Sequence, residues 1–269
     1  MHFPMIPSTM SRKSKIISSI GFFILLFVVW ELLALHVDIS FVIPHPIPTF
    51  KKLFALLISS ESINPNLHFW NIVGSSLLRI FLGLCAGILV GLLLAFLAIR
   101  FPFLQGGIQA YVGIIKATPV ASFILILWCM TNREFVPVAI ATLMVCPIIY
   151  QNLFSGYFDL EKEKRELLDV FKVPFLTKLK IFILPELLKY LFPAIISATG
   201  LAWKSGIAAE IIAYTKNSIG KEISNAKNIL EGELLFAFTI VVILISLIFE
   251  YGLKFLERRF MHGRISKRI

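Results

Sequence analysis

The sequence predicts an all-α integral membrane protein with about six transmembrane helices, and three observations predict it. Of the 269 residues, 58% are hydrophobic and only 16% charged, with a mean hydropathy of +0.86; soluble proteins carry about a quarter charged residues. Apolar runs long enough to cross a bilayer, about 20 residues each, recur between short polar turns and one long charged island. The 26 Lys and Arg are unevenly spread: sixteen fall in segments that would share one side of a six-span chain, six on the other side, and four in or near spans. That bias marks the cytoplasmic side and puts both termini there. In a soluble chain the net charge of +10 would suggest nucleic acid; in this one it reads as membrane anchoring, so the expected surroundings are a lipid bilayer and no nucleic acid.

The first span runs from about Ile17 to Leu35, preceded by Arg12, Lys13 and Lys15. The apolar run is too long for a signal peptide and no small-x-small cleavage site follows it, so it is expected to be retained. Residues 43–48, IPHPIP, hold three prolines that favour extended or turn backbone. Thr49 is expected to cap a short amphipathic helix, FKKLFALLISS, lying at the membrane surface. Span 2 covers about Ile72 to Ile99. Its Gly83, Gly87 and Gly91 are four apart and fall on one face, a ladder that lets a second helix approach closely. Arg79 is unusual there; it either snorkels or lies in an amphipathic first turn near the outer interface.

Span 3 covers about Phe103 to Met130 and is expected to be kinked near Pro119, where the ring removes a backbone donor. Span 4 covers about Phe135 to Phe154. A charged island, 157–185, then separates it from span 5, which extends from after Pro185 to about Tyr214. Residues 215–232 are polar and are expected to form a short surface helix before span 6, about Glu233 to Tyr251. The island carries ten charged residues between Glu161 and Lys180 and cannot sit in hydrocarbon; the charge bias makes it cytoplasmic. Cys85, Cys129 and Cys146 lie in apolar runs with no metal or disulfide spacing and read as small core residues.

The island resembles the EAA loop of ABC-importer permeases, whose pattern is E-A-A-x-x-x-G, nine residues, then I-x-L-P. Glu166 takes the Glu position, and Leu184 and Pro185 fall at the right distance. The two Ala positions are Leu167 and Leu168, the Gly is Lys172 and the Ile is Phe182. The missing Gly departs most from the pattern; Val173-Pro174 is expected to supply the break. Further segments resemble the nitrate/sulfonate/taurine branch of that family: Trp30-Glu31, Ile43-Pro44-His45-Pro46, SLLRIFLG at 76–83, KATPVASFILILW at 116–128, GLAWKSGIAAEII at 200–212 and Ser218-Ile219-Gly220.

The resemblance implies a type I (MetI-like) permease fold. Its domains would be a cytoplasmic tail, 1–15, a transmembrane permease domain, 16–256, and a basic cytoplasmic tail, 257–269, in a bacterial inner membrane. It implies a homodimer with two ATPase subunits and an extracytoplasmic binding protein, and ATP-Mg bound by the ATPase while this chain binds no cofactor. Glu166, Leu167, Leu168, Asp169, Phe171, Lys172, Leu184 and Pro185 would form the ATPase-coupling loop.

Charges inside spans are costly and therefore functional candidates. Lys116, Lys204 and Glu210, with Thr118, Pro119, Ser122 and Ser205, are candidates to line a pathway for a small anionic solute such as a sulfonate, nitrate or taurine. Lys204 and Glu210 are six apart and face different ways on one helix, which leaves Lys116 as a candidate partner for Glu210. No catalytic constellation, metal cluster or phosphate-cradling GxxxxGK[ST] is present, so an enzyme is not expected. Two alternatives to the importer remain at this stage, an ion-gradient-driven secondary transporter and a non-transporting membrane scaffold.

Overall fold

A computed structural model describes residues 12–59, 68–159 and 184–265, with 170, 174 and 177. The described residues form α1 (Arg12–Val37), α2 (Pro46–Ser59), α3 (Phe69–Arg100), α4 (Pro102–Ala117) and α5 (Val120–Met130). They continue with α6 (Val136–Phe158), α7 (Leu184–Ala213), α8 (Ile219–Asn228) and α9 (Gly232–Ile265). Among them α1, α3, α6, α7 and α9 are long and apolar enough to cross a membrane, and the bent pair α4–α5 makes a sixth span if counted as one.

The third span corrects the expectation of one kinked helix. Its halves meet at 100°. Thr118 is extended (φ −81°, ψ 130°) and Pro119 follows in extended backbone (φ −58°, ψ 132°). Proline lacks an N–H and disfavours helix at the preceding residue, so both ends of the break come from one dipeptide. Thr118 Oγ1 donates to the Ile114 carbonyl at 2.8 Å and closes the last turn of α4.

α6 is the central helix, packed along α3 on one side and α7 on the other. The α3 side is the glycine ladder. A Cβ on Gly83 would lie 2.5 Å from the Val138 carbonyl oxygen, one on Gly87 2.6 Å from Val145 Cβ, and one on Gly91 2.8 Å from Ile149 Cβ. Thr142 Oγ1 donates across this seam to the Gly83 carbonyl at 3.1 Å. α7 presents a similar stripe of small residues: Ala194, Ala198, Ala202, Ala209 and Ala213 are buried, and Gly206 sits under Ile80 of α3. Lipid tails are as apolar as leucine, so close packing of small residues is a main attraction between such helices.

α1 is peripheral, with exposed apolar side chains along its length. Its last turns are pinned by Trp30 and Glu31 to the 44–45 segment. Trp30 Nε1 donates to the Pro44 carbonyl at 2.9 Å, and Glu31 meets His45 Nδ1 at 3.1 Å. The indole also packs against Phe27, Phe50 and Phe236. α2 begins at Pro46, three residues before the expected cap, because proline suits a first helical turn. Thr49 is therefore inside the helix, donating to the His45 carbonyl at 2.8 Å. α2 is amphipathic as expected, but Leu53 and Leu56 are buried against the protein, and Lys52 meets Glu231 at 3.5 Å.

Candidate functional site

Two opposite charges in the spans, Arg79 and Glu210, are the centre of a polar node that ties together four segments. Glu210, in the last turn of α7, is fully buried. Its Oε2 accepts from Ser76 Oγ of α3 at 2.8 Å and from the Gly220 N–H of α8 at 3.2 Å. Ser76 Oγ in turn accepts from the Ile219 N–H at 2.9 Å. Glu210 Oε1 lies 3.8 Å from Arg79 Nη1, an ion pair without a hydrogen bond. Arg79 completes its fan of donors at the surface: Nη2 reaches Glu134 Oε2 at 2.8 Å and the Lys216 carbonyl at 2.9 Å, and Nη1 reaches the Asn217 carbonyl at 3.2 Å.

Local sequence explains why these segments meet. The α7–α8 corner turns sharply, with Tyr214 and Asn217 in left-handed backbone (φ 54° and 47°), a conformation that non-glycine residues adopt uncommonly. Ser218 then caps α8, accepting from the Lys221 N–H at 3.0 Å. Gly220 must be glycine: a Cβ there would fall 2.6 Å from the Ile211 backbone nitrogen. The α5–α6 turn is held to the same corner by Thr215 Oγ1, which donates to the Arg133 carbonyl at 3.1 Å, and by the Lys216 N–H on Glu134 Oε1 at 3.1 Å.

A charge left unpaired at mid-helix costs roughly 2.5–3.5 kcal/mol on insertion scales. Within the node Arg79 offsets that cost by facing both carboxylates, at 2.8 Å from Glu134 and 3.8 Å from Glu210. Beside it a cavity of about 700 Å³ is lined by Arg79, Trp128, Arg133, Glu134 and Lys216, among others. Arg133 lies over the Trp128 ring, 5.3 Å from its centroid.

The node extends one expectation and corrects two. Arg79, expected only to snorkel or to lie in an amphipathic first turn near the outer interface, is also a structural bridge between Glu134 and Glu210. Lys116 does not meet Glu210: it lies at the α4 end of the break and donates to Gln151 Oε1 of α6 at 2.8 Å. The short helix after α7 is not a surface helix, since Ile219, Gly220, Glu222 and Ala226 are buried. Glu222 is 1% exposed. Burial pushes its carboxyl above the ordinary value, opposed by Lys221 and by the Asn225 amide.

The candidate pathway residues separate into two groups. Ser205 is buried with its hydroxyl on the Leu201 carbonyl at 2.8 Å, and Glu210 is buried in the node. Lys116, Pro119, Ser122 and Lys204 are exposed, and Thr118 is half-buried. Of the coupling-loop candidates, Leu184 and Pro185 open α7, with Leu184 exposed. Glu166, Leu167, Leu168, Asp169, Phe171 and Lys172 lie outside the described residues. No group of three or more His, Cys, Asp or Glu residues that could hold a metal occurs among the described residues.

Residues 87–262 match the family described as binding-protein-dependent transport system inner membrane component. The chain belongs to that family, the membrane-embedded permease components of ABC importers. It is 23% identical over 257 residues to the taurine transport system permease protein TauC of Escherichia coli (strain K12), covering 90% of this chain and 88% of that one. That relation runs almost end to end and agrees with the nitrate/sulfonate/taurine-branch motifs. The fold is similar to that of an amino acid ABC transporter crystallised with histidines, with a TM-score of 0.62 and 16% identity, covering 78% of this chain and 97% of that one. It is also similar to the MetNI methionine ABC transporter in an inward-facing form, with a TM-score of 0.56 and 17% identity, covering 71% and 93%. The fold is thus the MetI-like one.

Proposed function

We propose that this chain forms half of the translocation pathway of a bacterial inner-membrane importer for a small anionic solute of the sulfonate, nitrate or taurine class. Two copies pair, two ATPase subunits bind ATP-Mg on the cytoplasmic side, and an extracytoplasmic binding protein delivers the solute. Both termini and the loop 157–185 face the cytoplasm; the node, with the α5–α6 turn and α8, faces outward. The observation that carries this reading is the conjunction of the family match with two exposed lysines, Lys116 at the break of the α4–α5 pair and Lys204 in α7. Neither lysine has a carboxylate hydrogen-bonded to it among the described residues. A cation exposed on an apolar spanning segment suits a water-filled route and an anionic passenger.

Coupling needs a two-state element biased by both ATP and the binding protein. The loop around Glu166 supplies the ATPase contact, and Leu184-Pro185 joins it directly to α7, whose far end carries Glu210 and the node. Motion delivered to the start of α7 therefore reaches the outer corner through one helix. Gentle purification of the tagged chain tests this reading. An ATPase should come with it and be lost in Glu166→Arg; an intact, well-folded chain that never retains an ATPase would overturn it.

A further inference from the structure

The node disposes of Arg79 and Glu210, and Lys116 is bonded to Gln151. Lys204 is different. It is exposed on α7, at the position after the buried Trp203, and makes no hydrogen bond or close ion pair among the described residues. It opens onto a cleft of about 360 Å³ between α7 and α9. That volume lies in the range of small-molecule sites, about 300–1,000 Å³. Across the cleft, Glu250 of α9 is near enough to feel the lysine's charge, but Glu250 is already bound by Lys254 at 2.5 Å.

The cleft therefore has two ammonium groups and one carboxylate, a net charge of +1. Its walls add the hydroxyls of Ser197 and Ser246, neither of which is bonded among the described residues. Serine hydroxyls in helices commonly bond back to the carbonyl four residues earlier, as Ser205 does; these two are uncommitted. Uncommitted donors around a cation that no carboxylate contacts closely, in a cleft between membrane-crossing helices, make a receptor for an oxyanion. We propose that the α7–α9 cleft is an oxyanion-binding site in which Lys204 supplies the charge and Ser197 and Ser246 the neutral donors. Glu250 and Lys254 neutralise each other at the opposite edge, so the oxyanion end of a ligand sits at the Lys204 side.

The oxyanion could be the sulfonate-type group of a solute or the phosphate of an acidic lipid, because both satisfy the same donors. The solute arm rests on the importer reading; the lipid arm does not. The test uses the full chain, purified gently with whatever co-purifies, in nanodiscs of phosphatidylcholine or of phosphatidylcholine with phosphatidylglycerol. Binding of radiolabelled ethanesulfonate and retention of phosphatidylglycerol by native mass spectrometry are compared for the wild type, Lys204→Met and Lys204→Arg. Losing a charge-assisted hydrogen bond weakens binding roughly 10- to 100-fold.

Saturable ethanesulfonate binding that falls by that factor in Lys204→Met and returns in Lys204→Arg establishes the solute arm. Retained phosphatidylglycerol that is lost in Lys204→Met and returns in Lys204→Arg establishes the lipid arm. Overturning results are ethanesulfonate and lipid binding both unchanged in Lys204→Met, or neither ligand bound by wild type. Matched elution profiles and melting temperatures of the two variants exclude a folding defect. ATPase co-purification is scored separately on wild type, so failure of the importer reading and failure of the cleft site give different results.

Discussion

Replacing Gly87 by Ala tests the central packing of the bundle. The new Cβ would fall 2.6 Å from Val145 Cβ, 2.8 Å from Val145 Cγ1 and 2.9 Å from the Thr142 carbonyl oxygen. Carbon contacts are comfortable from about 3.5 Å, so α3 and α6 must part by roughly 1 Å at this level. Val145 is fully buried and β-branched, and the carbonyl is backbone, so neither can swing aside. Overpacking of this kind costs about 1–3 kcal/mol. Alanine recovers up to about 1 kcal/mol in helix propensity, leaving a net loss on the order of 1–2 kcal/mol. For a chain of this size that is a drop of roughly 2–8 °C in melting temperature. The assay is heating of the detergent-solubilised chain, followed by the loss of its monodisperse elution peak. Gly74→Ala, on the same helix with nothing within 4 Å of the new atom, is the control. If Gly87→Ala melts with or above Gly74→Ala, the glycine ladder is not the close contact described.

Other perturbations address the polar groups. Arg79→Leu strands Glu210 and Glu134 and should destabilise by about 3–5 kcal/mol. Glu210→Gln can keep the Ser76 and Gly220 bonds and should cost less. In a double-mutant cycle the two should couple by about 1–3 kcal/mol; additive losses would show that the 3.8 Å approach carries no energy. Glu222 lies outside the spans, on α8, and its carboxyl is pushed above the ordinary value of 4.5 by burial. The folded state therefore holds the proton more tightly than the unfolded one, so the stability this group contributes is present below about pH 4.5 and lost as pH rises through the raised value. Glu222→Gln should gain stability over wild type as pH rises from acid to neutral; a pH-independent difference would contradict the buried carboxyl. Trp30→Phe removes the bond to the Pro44 carbonyl and should cost about 1 kcal/mol, measured in the same melting assay; no loss would show that the indole N–H does not secure the 43–48 segment.

Hydropathy made the spans legible because it is a local sum over about 20 residues. The glycine spacing likewise placed Gly83, Gly87 and Gly91 on one face, and the structure seats that face on Val138, Val145 and Ile149. The partners of the intramembrane charges were not legible. Arg79 and Glu210 are 131 positions apart in the chain, and only the folding of the α7–α8 corner over α3 brings them together. Opposite charges in two spans were the available signal, but the sequence pointed to Lys116 as the partner of Glu210, and Gln151 holds Lys116 instead. At Pro119 the ring explains a break but not its angle, which depends on Thr118 also leaving the helix. Polarity alone made 215–232 look like surface; one face of α8 is buried, and Glu210 and Ser76 offer partners for its backbone.

The most direct measurement is solute uptake in proteoliposomes, with the chain reconstituted alone and again with the ATPase and binding protein that purify with it. Uptake should require all the components and ATP inside the accessible compartment of the ATPase, and should vanish with Glu166→Arg while the permease stays folded. Uptake by the chain alone, driven by an ion gradient without ATP, would contradict it.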